Sequence, residues 1–317
     1  MRKKMILIVF SLFAFFLMTV YYKEKLLAIV SNRDYFLKLF FDATQISSLT
    51  TQIVLTFLGV SLISLLIELI FLGWSKSALK RLLIKPSKSA LVDWFSYVLS
   101  VFKIFEFLSF ILTLGFFYFL SSIMTKLINI NLLHFVTNDV LKFILLFIFI
   151  DFISYWRHRI NHMKGIWELH LFHHSAKEFN LITTTRGSFF EAAFNTLFST
   201  VVFVIMGAEV EAIIWLVYSR EIYQHLLHSN LDWNLGWVGR NVLISPLAHK
   251  LHHSINPSDD NLNFGFVFNW WDKAFGTFKN PLKGSTILIG VEGEKVNKLG
   301  FFRAQFDGLI KMLKVFR

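Results

Sequence analysis

DFISYWRHRINH, residues 151–162, is the stretch on which the reading of this chain turns. It continues without a break from the uncharged run FILLFIFI at 143–150. Asp151, Tyr155, His158 and His162 recur at i, i+4, i+7 and i+11, which is one stripe along a continuous helix. An apolar helix that gains two imidazoles on one face as it ends reads as a span leaving the bilayer with the first metal ligands on its extension. Arg157 and Arg159 flank the stripe and can snorkel to lipid headgroups.

Ten of the eleven histidines lie between Asp151 and His253, and only His134 falls elsewhere. After His158 and His162 come His170, His173 and His174 in HLFHH, then His225 and His228 in QHLLHS, then His249, His252 and His253 in HKLHH. Each group has helical spacing, so each is expected to aim its imidazoles at one point. A lone histidine on an apolar helix is usually structural, but two copies of H-x-x-H-H with one H-x-x-x-H are hard to explain as packing. Ten imidazoles exceed what one ion can use, and two metals are the natural count. For His225 a structural role is equally open, because Gln224 and His228 alone could complete that group. His134 reads as a bystander.

The 317 residues are 55% hydrophobic and 17% aromatic, with 38 Phe and only four Pro. Several long uncharged runs make this a membrane-protein composition. The expected fold is an all-α integral membrane protein with about four transmembrane helices, a short membrane hairpin and a cytosolic helical cap carrying the histidines. The expected spans are Met5–Tyr22, Leu49–Gly73, Phe107–Thr125 and one starting near Val140, with Leu91–Phe105 at the interface. Residues 189–224 form the hairpin, read as two pieces of about 15 residues, or about 22 Å each, broken at Gly207–Ala208. The loop 76–88 has five Lys/Arg and no acid, so it is placed in the cytoplasm with the N-terminus and the histidines. The net charge of +11 is read as membrane-surface anchoring, and nucleic acid is not expected as a partner. Three regions follow: membrane helices at 1–139, a catalytic region at 140–281, and an amphipathic membrane-surface segment at 282–317, with Phe302, Phe306, Leu309, Leu313 and Phe316 on one face. Ser245-Pro246 is a helix start, with Ser as N-cap and Pro at the first position.

Cysteine is absent, which removes thiolate metal sites, iron–sulfur ligation and cysteine nucleophiles together. Neither H-E-x-x-H, G-x-S-x-G, a P-loop nor G-x-G-x-x-G occurs, so zincin, serine hydrolase, NTPase and nicotinamide chemistry have no motif here. All-imidazole ligation with open positions suits redox-active iron or copper. Asp151, Glu221 and Asp272 are candidates for carboxylates that accept the second N–H of metal-bound rings. Tyr155, on the same stripe, completes the candidate catalytic set.

DFISYWRHRINH, WELHLFHHS, HSN and HKLHHS, followed by NFG and WDKAFGTF, resemble the fatty acid hydroxylase/sterol desaturase superfamily of membrane histidine-box di-iron enzymes. HHSAKEFNLITTTRGS resembles its alkylglycerol monooxygenase branch. The resemblance runs from about Phe143 to Pro281. It implies iron ligation by His158, His162, His170, His173, His174, His249, His252 and His253, with His228 as the histidine of the intervening box; His225 is not clearly part of the pattern. It further implies O2-dependent oxidation of a lipid C–H bond, a substrate chain held in an apolar tunnel, and an external reductant, either a tetrahydropterin or a cytochrome b5- or ferredoxin-type donor. Zinc can replace iron in purified material. A desaturase or sterol C-4 methyl oxidase on the same scaffold is the alternative; a membrane metal transporter or sensor is disfavoured by apolar spans with no conduction path.

Overall fold

The computed structural model describes the backbone of residues 43–316 other than 103, 129, 208–209 and 283. Side chains are described from Leu58 onward, except at those positions and at 106, 118, 203, 210–215, 217 and 218. The expected span Met5–Tyr22 lies outside the described residues. Among the described residues there is no strand; the secondary structure is helical, with two isolated bridges, Leu243–Phe268 and Ser254–Ile289.

The N-terminal helices are α1 (Ala43–Leu72), α2 (Ala78–Ile84), α3 (Lys88–Val101), α4 (Ile104–Leu112) and α5 (Phe116–Leu127). Glu68, the single acid near the end of α1, accepts the Ala78 N–H at 3.0 Å and so satisfies one free donor at the start of α2. The expected span Phe107–Thr125 is not one helix. It breaks at residues 113–115, where Leu114 (φ 50°) and Gly115 (φ 67°) adopt left-handed backbone that ends α4. The pieces α4 and α5 have 9 and 12 residues, about 14 and 18 Å of helix, so neither alone spans a bilayer core of about 30 Å. The segment read as interfacial is largely α3, whose buried face packs on a 3-10 turn at Leu181–Thr185.

The next helix, α6 (Asp139–Asn161), runs unbroken from the apolar stretch into the histidine stripe. Asn138 caps its start by accepting from Leu141 N–H, and His162 is its C-cap. The chain then turns at Gly165 into α7 (Trp167–His174). The residues expected to form the hairpin make two helices, α8 (Phe189–Met206) and α9 (Val210–Leu227), with a positive-φ Gly207 after the first. Each arm has 18 residues, about 27 Å, so both are longer than the apolar pattern suggests. The ends extend because polar residues such as Glu191 and Gln224 face the site rather than terminate the helix. Leu146 and Ile150 of α6 pack with Val202 and Met206 of α8 and Leu216 of α9. Among the described residues α8 alone is both long and apolar enough to cross a membrane.

After α10 (Gly236–Asn241), α11 (Pro246–His252) starts as the Ser-Pro pair predicts, with Ser245 Oγ accepting from Ala248 N–H at 3.1 Å. The chain continues through α12 (Trp270–Ala274) and α13 (Val296–Leu299) to α14 (Phe301–Val315). The last helix packs on α7, leaving Phe302, Phe306, Ile310 and Leu313 exposed. Gln305 on its inner side is buried and joins the start of α8, accepting from Phe189 N–H and donating to Gly187 O.

Candidate metal centre

The C-terminal ends of α6 and α9, the N-terminal end of α8, and helices α7 and α11 meet at one place. Nine histidines gather there in two groups. His158, His162, His170, His174 and His252 form the first; His173, His228, His249 and His253 form the second; within each, the nitrogens lie within 4.8 Å of one another. His225 is in neither. Its Nδ1 donates to Glu221 O at 2.8 Å and its Nε2 lies 3.4 Å from Ser61 Oγ, so its ring points towards α1. His134 is exposed, on a turn before α6.

One expectation is corrected here: the histidine groups do not each aim at a single point. Adjacent helical residues project about 100° apart, so H-x-x-H-H splits. From α7, His170 and His174 go to the first cluster and His173 to the second. The α11 box does the reverse, sending His249 and His253 to the second cluster and His252 to the first. The two boxes are exchanged across the boundary, where the rings of His174 and His253 stack with centroids 4.1 Å apart.

Hydrogen bonds fix the tautomers. His158 Nδ1–H donates to Phe264 O at 3.0 Å, His252 Nδ1–H to Leu262 O at 2.6 Å, and His170 Nδ1–H to Glu191 Oε1 at 2.8 Å. The Nε2 lone pairs of these three rings are buried with no hydrogen-bond partner. In the second cluster, His173 Nδ1–H donates to Arg186 O and His228 Nδ1–H to Gln224 O, at 2.8 and 2.9 Å. Their Nε2 lone pairs therefore face each other at 3.3 Å. Protonation does not relieve the clash at neutral pH. Burial, followed by the charge of neighbouring imidazoles, holds His173 down at about 4, and burial holds His252 at about 3. Buried imidazole lone pairs that converge on one point are what a borderline cation requires. The donor set thus fits two imidazole-ligated metal ions.

The expected supporting residues sit elsewhere in this network. Asp151 does not touch an imidazole; it accepts Val267 N–H, Phe268 N–H and Trp271 Nε1–H at 2.9, 3.2 and 3.0 Å. Asp272 accepts Phe264 N–H, Gly265 N–H and the Thr277 hydroxyl, at 2.8, 2.8 and 2.7 Å. Burial pushes its carboxyl up to about 6, which leaves it ionised at neutral pH and able to accept all three. Both acids pin the 262–272 loop, whose carbonyls orient His158 and His252. Gly265 is required there, since a Cβ would fall 2.5 Å from Phe268 O. Tyr155 is fully buried behind the cluster, bonded to Thr277 Oγ1 and Arg159. Glu221 meets His225 through its backbone carbonyl, and it lines a cavity described below.

Sequence reasoning missed Glu191, a carboxylate that does accept a ring N–H. Its signal was a buried acid in the first turn of an otherwise apolar helix. Arg186 was missed as well. Its carbonyl orients His173, and its fully buried guanidinium bonds Asp93 Oδ1 (2.9 Å), Asn297 Oδ1 (2.6 Å), Ser175 Oγ and the carbonyls of Phe172 and Ser89. That hub ties α3, α7 and α13 together behind the histidines.

Two cavities reach the clusters. One of about 210 Å³ is walled by α6, α8 and α9, and it touches His158 and His170 of the first cluster and His173, His228 and His249 of the second. Its wall is mixed: Phe105, Ala192 and Phe266 stand beside polar side chains such as Asn161, Glu191 and Gln224. The other, about 350 Å³, reaches His162, His174 and His252 beside Trp167 and the loops around Asp260 and Glu292.

The family described as fatty acid hydroxylase matches residues 143–277. An ornithine lipid hydroxylase of Rhizobium tropici is 29% identical over 145 residues, covering 45% of this chain and 44% of the relative. Alkylglycerol monooxygenases of Xenopus tropicalis and Homo sapiens are 32% and 29% identical over 176 and 171 residues, each match covering 54% of this chain and 37% of the relative. The chain thus spans less than half the length of these curated relatives. No solved structure matches it significantly. The matched residues 143–277 hold all nine clustered histidines.

Proposed function

We propose that this chain is a membrane-embedded di-iron enzyme that hydroxylates a lipid C–H bond with O2. The observation that carries the reading is the pair of adjoining histidine clusters with inward, desolvated lone pairs, both open to one cavity. His158, His162, His170, His174 and His252 would hold one ion, and His173, His228, His249 and His253 the other. When bound, the ions supply O2 reduction: one oxygen atom enters the C–H bond as hydroxyl and the other leaves as water, with two electrons and two protons from an external reductant. The protein's own part is positional. Backbone carbonyls at 186, 224, 262 and 264 and the Glu191 carboxylate hold five rings in the Nδ1–H tautomer, which keeps Nε2 free for metal. The 350 Å³ cavity reaches the first cluster on a separate side, which suits access by a separate electron donor.

The clusters lie at the end of α6 and at both ends of the α8–α9 hairpin that return to it. This supports the reading in which the hairpin enters the membrane and brings the chain back to the same, cytoplasmic, face. The exposed apolar side of α14 supports a membrane-surface seat for that helix.

Metal analysis of protein purified without oxygen or added metal tests the proposal. About two irons per chain are expected, as all-imidazole sites allow. O2 uptake with a reductant and a lipid should then yield a product heavier by one oxygen. Stoichiometric zinc that iron cannot replace, with no O2 uptake after iron reconstitution, would overturn it.

A further inference from the structure

We infer, on the basis of the two-metal reading above, that the 350 Å³ cavity is the route by which divalent metal ions enter this protein, and that the first cluster is the one they reach first. Imidazoles buried inside a fold need a path along which an ion arrives and sheds its water. Two cavities reach the clusters, and they differ in both access and charge.

Access favours the larger one. No residue on the wall of the 210 Å³ cavity is exposed, whereas Pro257, Asp260, Asn261 and Glu292 on the wall of the 350 Å³ cavity are. A hydrated cation therefore meets solvent-facing groups only at the rim of the second. That rim is tied to the histidine box it serves. Gly290 N–H donates to His253 O at 3.0 Å and Ile255 N–H to Leu288 O at 2.9 Å, so both rim loops are fastened at the end of α11.

Charge favours it as well. The smaller cavity sets two carboxylates, Glu191 and Glu221, against two guanidiniums, Arg157 and Arg186. The larger has two carboxylates, Asp260 and Glu292, and neither Lys nor Arg on its wall. The charges beside that rim are already answered: Asp259 pairs with Lys279 at 2.7 Å, and Lys177 with Glu294 at 3.4 Å. A cleft lined by one sign of charge concentrates the opposite ion and speeds its arrival.

The buried part of the same cavity is made by His162, His174 and His252. His252 is 5% exposed; its Nδ1–H is committed to Leu262 O, and its Nε2 has no hydrogen-bond partner. His162 Nε2 lies 3.1 Å from His174 Nε2. An ion moving inward thus exchanges water first for carboxylate oxygen and then for imidazole nitrogen, which offsets its desolvation in steps. None of the four histidines of the second cluster lines this cavity, and that sets the order of filling.

The test follows Co²⁺ entering the metal-free, full-length protein in lipid nanodiscs. Stopped-flow absorption of imidazole-bound Co²⁺ gives the rate and metal analysis the final content, both independent of turnover. Wild type should take up about one ion in a fast phase and about two at equilibrium, as all-imidazole sites allow. His252→Ala should abolish the fast phase and His173→Ala should keep it. Asp260→Asn combined with Glu292→Gln should slow that phase about tenfold and leave the final content at the wild-type level. Raising salt from ~0.01 M to ~1 M shortens the screening length from about 30 to about 3 Å, and should slow wild type but not the double variant. Equal rates in wild type and the double variant, both fully loaded, would overturn the inference and leave the two-metal reading intact. So would a fast phase lost in His173→Ala and kept in His252→Ala. Wild type that binds no Co²⁺ at equilibrium would overturn the two-metal reading and this inference with it.

Discussion

The two clusters differ in what orients them. In the first, His158 and His252 depend on carbonyls of the 262–264 loop, and His170 on Glu191. In the second, His228 is oriented by the carbonyl one turn earlier in its own helix, and His173 by Arg186 O. The first is therefore held by a distant loop that Asp151 and Asp272 must pin, and the second by a helix and a buried guanidinium hub. Two sites built from the same residue type and the same boxes should fail in different ways.

Removing a ligand has the largest effect. His252→Ala in the first cluster and His173→Ala in the second should each lower turnover by more than ~100-fold, beyond the usual cost of losing an orienting partner. Membrane insertion should be retained. Iron analysis should show about one ion lost in each case if the clusters are separate sites; full turnover in either variant would refute the two-metal reading.

Next comes the hub. Asp93→Ala leaves Arg186 charged and buried, at a cost of about 3–5 kcal/mol in stability. Because Arg186 O orients His173, thermal denaturation and metal analysis together should show the second cluster weakened before the first. A change in neither midpoint nor iron content would mean that the pair is dispensable.

Glu191→Gln keeps the shape of the side chain but removes the charge behind His170. Iron affinity should fall by about 10–100-fold at the first cluster, with the second unaffected, as competition with a chelator can measure. Equal loss at both sites would erase the proposed distinction.

Asp151→Asn acts through the loop rather than on a ring. Loss of charge-assisted bonds from three donors should cost about 1–3 kcal/mol and loosen the first cluster only. Hydrogen exchange at Val267 and Phe268 reads this directly, and unchanged protection there would demote the residue. The smallest effect belongs to His225→Ala. Its ring meets Ser61 and Glu221 O, so iron content should match the wild type, and a lost ion would reinstate it as a ligand.

Much of this centre was legible along the chain. Helical spacing brought out the stripe on α6 and both H-x-x-H-H boxes, because neighbours on a helix face depend only on local geometry. The Ser245-Pro246 start was readable for the same reason. The break at residues 113–115 was not, since an apolar run continues through Leu114 and hydropathy is blind to backbone sign. Nor was the role of Glu191, Arg186 or Asp272, whose partners include His170, His173 and Phe264 at 21, 13 and 8 residues' distance.

Composition and i, i+3, i+4 spacing are local properties, so the helical class and the all-imidazole donor set were readable along the chain. How the histidines divide was settled by the packing of the helices. Each box feeds both clusters, since the crossing of α7 and α11, not their spacing, sets which imidazole meets which. The cavity facing the clusters was formed in the same way, by helix ends distant in sequence that converge on one place.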